Sequence, residues 1–389
     1  MTPISPRMAS EFAETVYDVI EPGSEGIVRL NTYGMEFPDF FDVNLSGGPI
    51  MGKTGGLFGL FREATGFAFV AHGKGKFQGH HVIALRGTRF INDWMTNGNI
   101  GFSSSVGGSY VHTGFNETFE SMKAPLEKLL SPLFTGRNIQ GIHCVGHSLG
   151  GALAALTAEW IRHRYRKRVQ LYTFGAPRVG MKGFATQSSF GESKIYRCTH
   201  GADPVPKVPL WPFMHAPVDG IEYRLDGSEG LSKEAHIMGQ DGEPGYRNTA
   251  NSSDWKMLHQ KSTDFLNTPV RLDYERRHEA SFSNYWAEKL GAALVTLLKD
   301  AGYYAAVLAQ AAISTALTFY DLLARTLEEI AKASNSFADQ TRGLLGHMLA
   351  FAKVTVTTVV EMTFSFIRWV FDQTTSALHS VVRQAVERT

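Results

Sequence analysis

Short apolar runs alternate with amphipathic segments along the first two thirds of the chain. The runs that predict strands are, in order, GFAFVAHG, HHVIALRG, QGIHCVGH, VQLYTFGAP and SKIYRCTHG. Between them, FNETFESMKAPLEKLLSPLF and SLGGALAALTAEWIRHRYRK carry apolar residues three and four positions apart, which is typical of helices. Strands that are apolar throughout and separated by helices predict an α/β fold, with a mostly parallel sheet covered by helices on both faces.

The C-terminal part of the chain has a different pattern. From Tyr285 to Thr389 there is no proline, glycine is sparse, and the composition predicts helices without strands. Residues 301–320 carry no charge and are long enough to span a bilayer, which takes about 20 residues. Residues 354–371 are also apolar. Two interpretations stay open: a helical bundle that packs on the rest of the protein, or helices that contact a membrane surface.

These patterns divide the chain into two regions. We expect an α/β region over residues 1–286 and an all-α region over residues 287–389. Residues 226–254 are polar and rich in glycine, so they are predicted to be a surface excursion with no regular element.

The net charge of the protein argues against partners that bind by overall electrostatic attraction. The 38 basic and 37 acidic side chains nearly cancel, so no overall field attracts nucleic acid or anionic lipid. Contact with a membrane is therefore expected to be local and apolar. The first residues contain no apolar stretch of the signal-peptide type. We expect synthesis in the cytoplasm and, if the protein is exported, a route that needs no cleaved signal.

The sequence Gly-His-Ser-Leu-Gly, from Gly146 to Gly150, lies between a predicted strand and a predicted helix. A sharp turn at this place points the serine side chain away from the sheet, and the glycines avoid collisions between strand and helix. Ser148 then lies at the positive end of the helix, and the Leu149 amide points toward the oxygen of an attacked carbonyl group. The motif predicts a nucleophile elbow of the α/β-hydrolase type, with Ser148 as nucleophile.

A serine nucleophile of this architecture needs an acid and a histidine that follow it in the chain. The predicted acid is Asp203, in YRCTHGADPVPKVP, because it comes directly after a predicted strand. Asp219 is the alternative.

Five motifs together resemble the class 3, fungal-type lipases. They are ALRGTRFINDW, VHTGF, GHSLGGALA, YTFGAPRVG and HGADPVPKVP, and the resemblance covers about residues 60–285. It implies a serine hydrolase of carboxylic esters. It also implies that Thr88 contributes to the oxyanion hole with Leu149, and that Arg89 to about Ile100 corresponds to a lid over the site.

Several histidines follow Asp203. The predicted base is His278, because RRHEASFSNYW resembles the bacterial and plant pattern and lies at the end of the α/β region. His259 is the alternative, since its spacing from Asp203 is close to that of compact fungal members. His215 matches a family position near the substrate groove that is not the base, and His236 is expected to be a solvated loop residue.

The sequence indicates neither a cofactor nor a metal ion. It contains no spacing of His, Cys, Asp or Glu typical of metal ligands. Residues 47–56, GGPIMGKTGG, match a phosphate-binding loop only loosely, because the flanking segments predict neither a firm strand nor a firm helix.

These observations predict a lipase or phospholipase that acts on a lipid substrate. The apolar lid residues and the apolar C-terminal helices favour a membrane phospholipid. The chain also resembles antibacterial phospholipase effectors that a contact-dependent secretion system delivers, which implies a neutralising immunity protein. Two alternatives remain: an ordinary esterase or triacylglycerol lipase with a structural helical tail, and a membrane-permeabilising helical protein with a lipase-like carrier domain.

Overall fold

The computed structural model describes the chain apart from residues 20–29, 44, 46–48, 55–62, 88–100, 136–138, 191–193, 219–220, 227, 229, 259, 262–268, 308–318, 356–361 and 387–389. The structural findings concern the residues that remain. Thr88, the predicted lid, Asp219 and His259 lie outside them.

A parallel sheet forms the centre of the fold. Its strands lie side by side in the order β4 (His80–Leu85), β7 (Gly141–His147), β8 (Val169–Phe174), β9 (Ile195–His200) and β10 (Ile221–Asp226). Each neighbouring pair in this order is parallel. The prediction of an α/β fold with a mostly parallel sheet is therefore confirmed.

Antiparallel strands complete both edges of the sheet. β3 (Glu63–Gly73) pairs with β4 and also with β1 (Phe41–Val43) and β2 (Ile50–Thr54). At the other edge, β10 pairs with β11 (Gln260–Lys261). A separate two-stranded sheet consists of β5 (Phe102–Ser104) and β6 (Tyr110–His112).

Helices occupy both the α/β region and the C-terminal region. In the α/β region they are α1 (Pro6–Thr15), α2 (Thr113–Thr135), α3 (Leu149–Tyr165), α4 (Lys182–Ser189) and α5 (Tyr246–Thr249). In the C-terminal region they are α6 (Asn284–Asp300), α7 (Phe319–Ala333), α8 (Asn335–Phe351) and α9 (Phe364–Val386). The predicted helical C-terminal region is thus present.

Alternate residues of the central strands point into two separate cores. In β4, Val82 and Ala84 join the core that contains Phe12 of α1. Ile83 and Leu85 join the core built with α2 and α3. This alternation explains why successive residues from Val82 to Leu85 are all apolar, since both faces of the sheet are covered.

The C-terminal helices pack against the α/β region. Leu290 of α6, Leu323 of α7, Leu345 of α8 and Phe371 of α9 belong to the same apolar core as α2 and α3. Among the described residues, no helix combines the length and the hydropathy needed to cross a membrane. The division of the chain at residue 286 stays a prediction.

Ion pairs that are buried or partly buried join helix α6 to loops of the α/β region and β9 to β10. Arg178 donates to Glu288 of α6 at 2.6 Å, and the ammonium nitrogen of Lys207 lies 3.8 Å from the same carboxylate. Glu222 of β10 lies 3.5 Å from Arg197. Burial raises the pKa of Glu222, but the charges of Arg197 and Lys207 outweigh it and hold this pKa at about 2.

Glu222→Gln should destabilise the protein at neutral pH and much less in acid. The pKa of Glu222 in the folded protein, about 2, lies below its ordinary value of 4.5, so its charge stabilises the fold above pH 4.5. That contribution is lost as the pH falls toward 2. We expect a difference in the free energy of unfolding of about 3 kcal/mol at pH 7, shrinking below pH 4.5, in urea denaturation.

Glu279→Gln is the matched control for this experiment. Glu279 pairs with Arg276 on the surface, so its replacement should leave the free energy of unfolding unchanged within error. A difference between wild type and Glu222→Gln that stays constant from pH 7 to pH 3 would contradict the prediction.

Candidate active site

Ser148 occupies a strained turn between β7 and α3. Its backbone has φ 57° and ψ −131°, a conformation that is rare for a residue with a side chain. A Cβ atom on Gly146 would lie 2.2 Å from the carbonyl oxygen of Gly150, and one on Gly150 would lie 2.2 Å from that of Leu85. Both glycines are therefore needed for close backbone contact, and the turn has the geometry predicted for an elbow.

One histidine connects Ser148 to Asp203. The Nε2 atom of His236 lies 2.9 Å from the Ser148 hydroxyl oxygen, and its Nδ1 atom lies 3.0 Å and 3.1 Å from the two oxygens of Asp203. Asp203 and His236 are fully buried, and Ser148 is 1% exposed. The three side chains form a continuous Ser–His–Asp chain of hydrogen bonds.

The prediction that His278 lies beside Ser148 is wrong. His278 is exposed in the turn Tyr274–Glu279, and its Nδ1 atom bonds to the carbonyl oxygen of Glu275 at 3.1 Å. The chain before this turn packs tightly on α8, because a Cβ atom on Gly343 would lie 1.8 Å from the carbonyl oxygen of Leu272. The position of His278 is therefore set by packing against the C-terminal helices, which the local sequence did not reveal.

The expectation that His236 is a solvated loop residue is wrong. The sequence does not single out this histidine, because it lies in the polar segment 226–254. The segment instead contains the turn Glu234–His236 and helix α5, and the side chain of His236 is fully buried. The signal that points to burial is the run Ala-His-Ile-Met. Ala235, Ile237 and Met238 are all at most 4% exposed, so they anchor a segment that is otherwise polar.

Two further residues singled out by the sequence, Leu149 and His215, do not join this chain of hydrogen bonds. Leu149 is the first residue of α3, where a backbone amide has no acceptor within the helix. His215 lies 2.7 Å from the carbonyl oxygen of Pro206 through its Nε2 atom.

The carboxylate of Asp203 is held by several donors. The Val205 amide donates to one oxygen at 2.9 Å, and the Tyr246 hydroxyl donates to the other at 2.6 Å. Burial, followed by the charge of Asp203, raises the pKa of Tyr246 well above its usual range. Tyr246 therefore stays protonated as a donor, and its ring stacks on His200 with centroids 3.8 Å apart.

Gly175, at the end of β8, leaves the space that this carboxylate occupies. Its φ is +55°, and a Cβ atom there would lie 2.6 Å from an oxygen of Asp203 and 3.0 Å from Nδ1 of His236. The absence of a side chain at residue 175 is thus a condition for the contact between Asp203 and His236.

The site is closed in this structure. Ser148 is 1% exposed, and helix α9 packs against the turn Glu234–His236 that carries the histidine. Within the described residues, no group of three or more His, Cys, Asp or Glu side chains is arranged to hold a metal ion.

Comparison with known proteins agrees with the predicted family. Residues 82–213 match the family model described as Lipase (class 3). The resemblance to the class 3 lipases is thereby confirmed. These residues, which we call the lipase-like region, contain most of β4, the elbow and Asp203. His236 lies beyond them.

Individual relatives are similar over limited parts of their length. Secreted mono- and diacylglycerol lipase 1 of Fusarium solani is 38% identical over 150 residues, which are 38% of this chain and 44% of that protein. Toxin TseL of Vibrio cholerae is 38% identical over 107 residues, which are 27% of this chain and 16% of that protein. The chain thus spans less than half the length of these curated relatives.

Solved structures of lipases are also similar. The crystal structure of a mono- and diacylglycerol lipase from Aspergillus oryzae matches with 24% identity and a TM-score of 0.44, covering 65% of this chain and 92% of that one.

Gly175→Ala should disrupt the Asp203–His236 contact. The new methyl group would overlap the Asp203 oxygen, so we expect ester hydrolysis to fall at least about tenfold in kcat. Gly75→Ala is the matched control, because Gly75 has a nearly equal φ of +56° and no atom within 4 Å of the added Cβ. Gly75→Ala should lose about 1 kcal/mol of stability from backbone strain, and Gly175→Ala should lose more because its methyl group also overlaps Asp203, as measured by denaturation. Equal kcat values in the two variants would contradict this role of Gly175.

Proposed function

We propose that this chain is a serine hydrolase of lipid carboxylic esters. The observation that carries the proposal is the chain of contacts from Ser148 through His236 to Asp203, with distances of 2.9 Å and 3.0 Å. A serine at a strained turn, a histidine within hydrogen-bond reach and a buried carboxylate on the other ring nitrogen are the parts that acyl transfer requires.

In the first step, Ser148 attacks the ester carbonyl carbon while His236 takes the hydroxyl proton on Nε2. Asp203 accepts the hydrogen bond from Nδ1, fixes the tautomer and stabilises the imidazolium that forms. The tetrahedral intermediate then expels the alcohol, which receives the proton from His236. In the second step, a water molecule gives a proton to His236 and attacks the acyl carbon. The bond from this carbon to the Ser148 oxygen then breaks, the fatty acid leaves, and His236 returns the proton to the Ser148 oxygen.

The oxyanion of each tetrahedral intermediate would form at the start of α3. The Leu149 amide and the positive end of the helix support a donor role there. Thr88 is the second donor that the family resemblance implies. It follows Gly87, and a Cβ atom on Gly87 would lie 3.2 Å from the Cβ of Ser148.

Two observations support a lipid as substrate. The matched relative from Fusarium solani is named a mono- and diacylglycerol lipase. The serine is also closed off, so access requires a movement that an apolar lipid surface can drive. We expect faster hydrolysis of aggregated lipid than of a short soluble ester.

A second candidate function follows from the similarity to Toxin TseL. We infer that the protein is exported and acts as a toxin on membrane phospholipid. The apolar C-terminal helices would contact the membrane surface, and an immunity protein would neutralise the enzyme in the producing cell.

Replacing Ser148 and His236, two of the three residues in the chain of contacts, tests the first function. Ser148→Ala and His236→Ala should each lower kcat at least about a thousandfold, because both act on the same proton transfer. The substrates are phosphatidylcholine and phosphatidylethanolamine vesicles, and a short-chain nitrophenyl ester is measured in parallel.

His278→Ala is the control and should keep its activity within about twofold, since His278 is exposed and its Nδ1 atom bonds to the Glu275 carbonyl oxygen of the same turn. Loss of activity in His278→Ala together with an active His236→Ala would refute the assignment of the base.

Directing the protein to the bacterial periplasm tests the toxin function. Wild type should stop growth there, and Ser148→Ala, produced at the same level, should not. Equal toxicity of both proteins would exclude an enzymatic toxin, and harmlessness of both would leave an ordinary lipase.

A further inference from the structure

Two side chains outside the Ser–His–Asp chain link to the main chain of His236. The Tyr17 hydroxyl lies 2.8 Å from Nδ1 of His147, and Nε2 of His147 lies 2.8 Å from the carbonyl oxygen of His236. His147 is fully buried and directly precedes Ser148. The residue next to the proposed nucleophile therefore contacts the backbone of the proposed base.

The direction of each hydrogen bond follows from the acceptors. A carbonyl oxygen only accepts, so Nε2 of His147 carries the hydrogen and Nδ1 is left as an acceptor for the Tyr17 hydroxyl. Burial, followed by the charge of His236, lowers the pKa of His147 well below its usual range. Burial raises the pKa of Tyr17. Both side chains are thus neutral. Tyr17 donates to Nδ1 of His147, and Nε2 of His147 donates to the carbonyl oxygen of His236.

The link continues to the end of β4. The Gly87 amide donates to the oxygen of Tyr17. A Cβ atom on Gly87 would lie 2.7 Å from this oxygen, so only glycine allows the approach. Since Gly87 precedes Thr88, the link joins the strand end that leads to the expected oxyanion donor with the turn that carries His236.

The N-terminal segment places Tyr17. Tyr17 lies in the turn Val16–Val19 directly after α1, and α1 packs against β7. Phe12 of α1 is fully buried in the core on that face of the sheet. The first residues of the chain, which lie outside the lipase-like region, therefore hold a side chain against the elbow.

We propose that Tyr17 and His147 are positioning residues that fix the main chain of His236, and so hold its ring in line with Ser148. The inference rests on the proposed ester hydrolysis. The rings of His147 and His236 lie 4.6 Å apart, so a charged His147 would repel the imidazolium that forms on His236. A neutral His147 holds the turn without opposing the proton transfer.

Tyr17→Phe removes the hydroxyl and keeps the ring. We expect kcat for the nitrophenyl ester to fall by about tenfold to a hundredfold with KM within about twofold, because the base is misplaced while the binding surface is unchanged. Tyr33→Phe is the matched control, since the Tyr33 side chain is 97% exposed, and its kcat should equal that of wild type. Circular dichroism and thermal unfolding establish that each variant is folded.

Replacements of His147 test the hydrogen bond itself. His147→Leu removes the donor to the His236 carbonyl, whereas His147→Gln carries a neutral N–H at a similar reach. Glutamine should therefore recover part of the kcat that leucine loses. In proton NMR, the low-field resonance of the Nδ1 hydrogen between His236 and Asp203 should shift or broaden in Tyr17→Phe and His147→Leu, but not in Tyr33→Phe.

The outcomes separate the two proposals. Wild-type kcat and an unshifted resonance in Tyr17→Phe, or equal kcat values in His147→Leu and His147→Gln, would overturn the positioning role while an inactive Ser148→Ala upholds the hydrolase. An active Ser148→Ala would overturn the hydrolase, and the positioning role with it.

Discussion

The close contact between Gly150 and the end of β4 is the constraint on which the site depends. Because no side chain separates Gly150 from the Leu85 carbonyl, α3 starts directly against the sheet. This forces Ser148 into a backbone conformation with φ 57°, so that its side chain points away from the sheet. The same contact brings Gly87 beside Ser148, and with it the Tyr17 hydroxyl. The strain at one residue is maintained because strand, helix and N-terminal segment all enclose it.

A second constraint is the cost of burying Asp203 away from water. A buried carboxylate is stable only with donors around it, and here the Val205 amide, the Tyr246 hydroxyl and His236 supply them. These donors come from the loop after β9, from α5 and from the turn before it. The polar segment that follows β10 has no periodic apolar pattern. It is held in place by its hydrogen bonds to the Asp203 carboxylate and by the buried side chains of Ala235, Ile237 and Met238.

The C-terminal helices stabilise the α/β region through a shared apolar core and through ion pairs. Their apolar residues share the core of α2 and α3, and Glu288 of α6 pairs with Arg178 and Lys207 from loops after β8 and β9. Helix α9 is in direct contact with the turn that carries the proposed base. Under the proposed function, contact of the helices with a lipid surface would act directly on the site.

The sequence by itself determined the parallel sheet, the elbow at Ser148 and the place of Asp203. These features depend on local patterns, namely apolar runs, two glycines around a serine, and an acid directly after a strand. The sequence did not determine which histidine contacts Ser148 and Asp203. His236 lies in a polar segment without periodicity, and it is buried by residues far away in the chain. The segment that carries His278 packs instead against α8. Tyr17 likewise lies 130 positions from His147 along the chain. Only the tertiary structure decided these contacts, because a hydrogen bond between distant segments leaves no local pattern in the sequence.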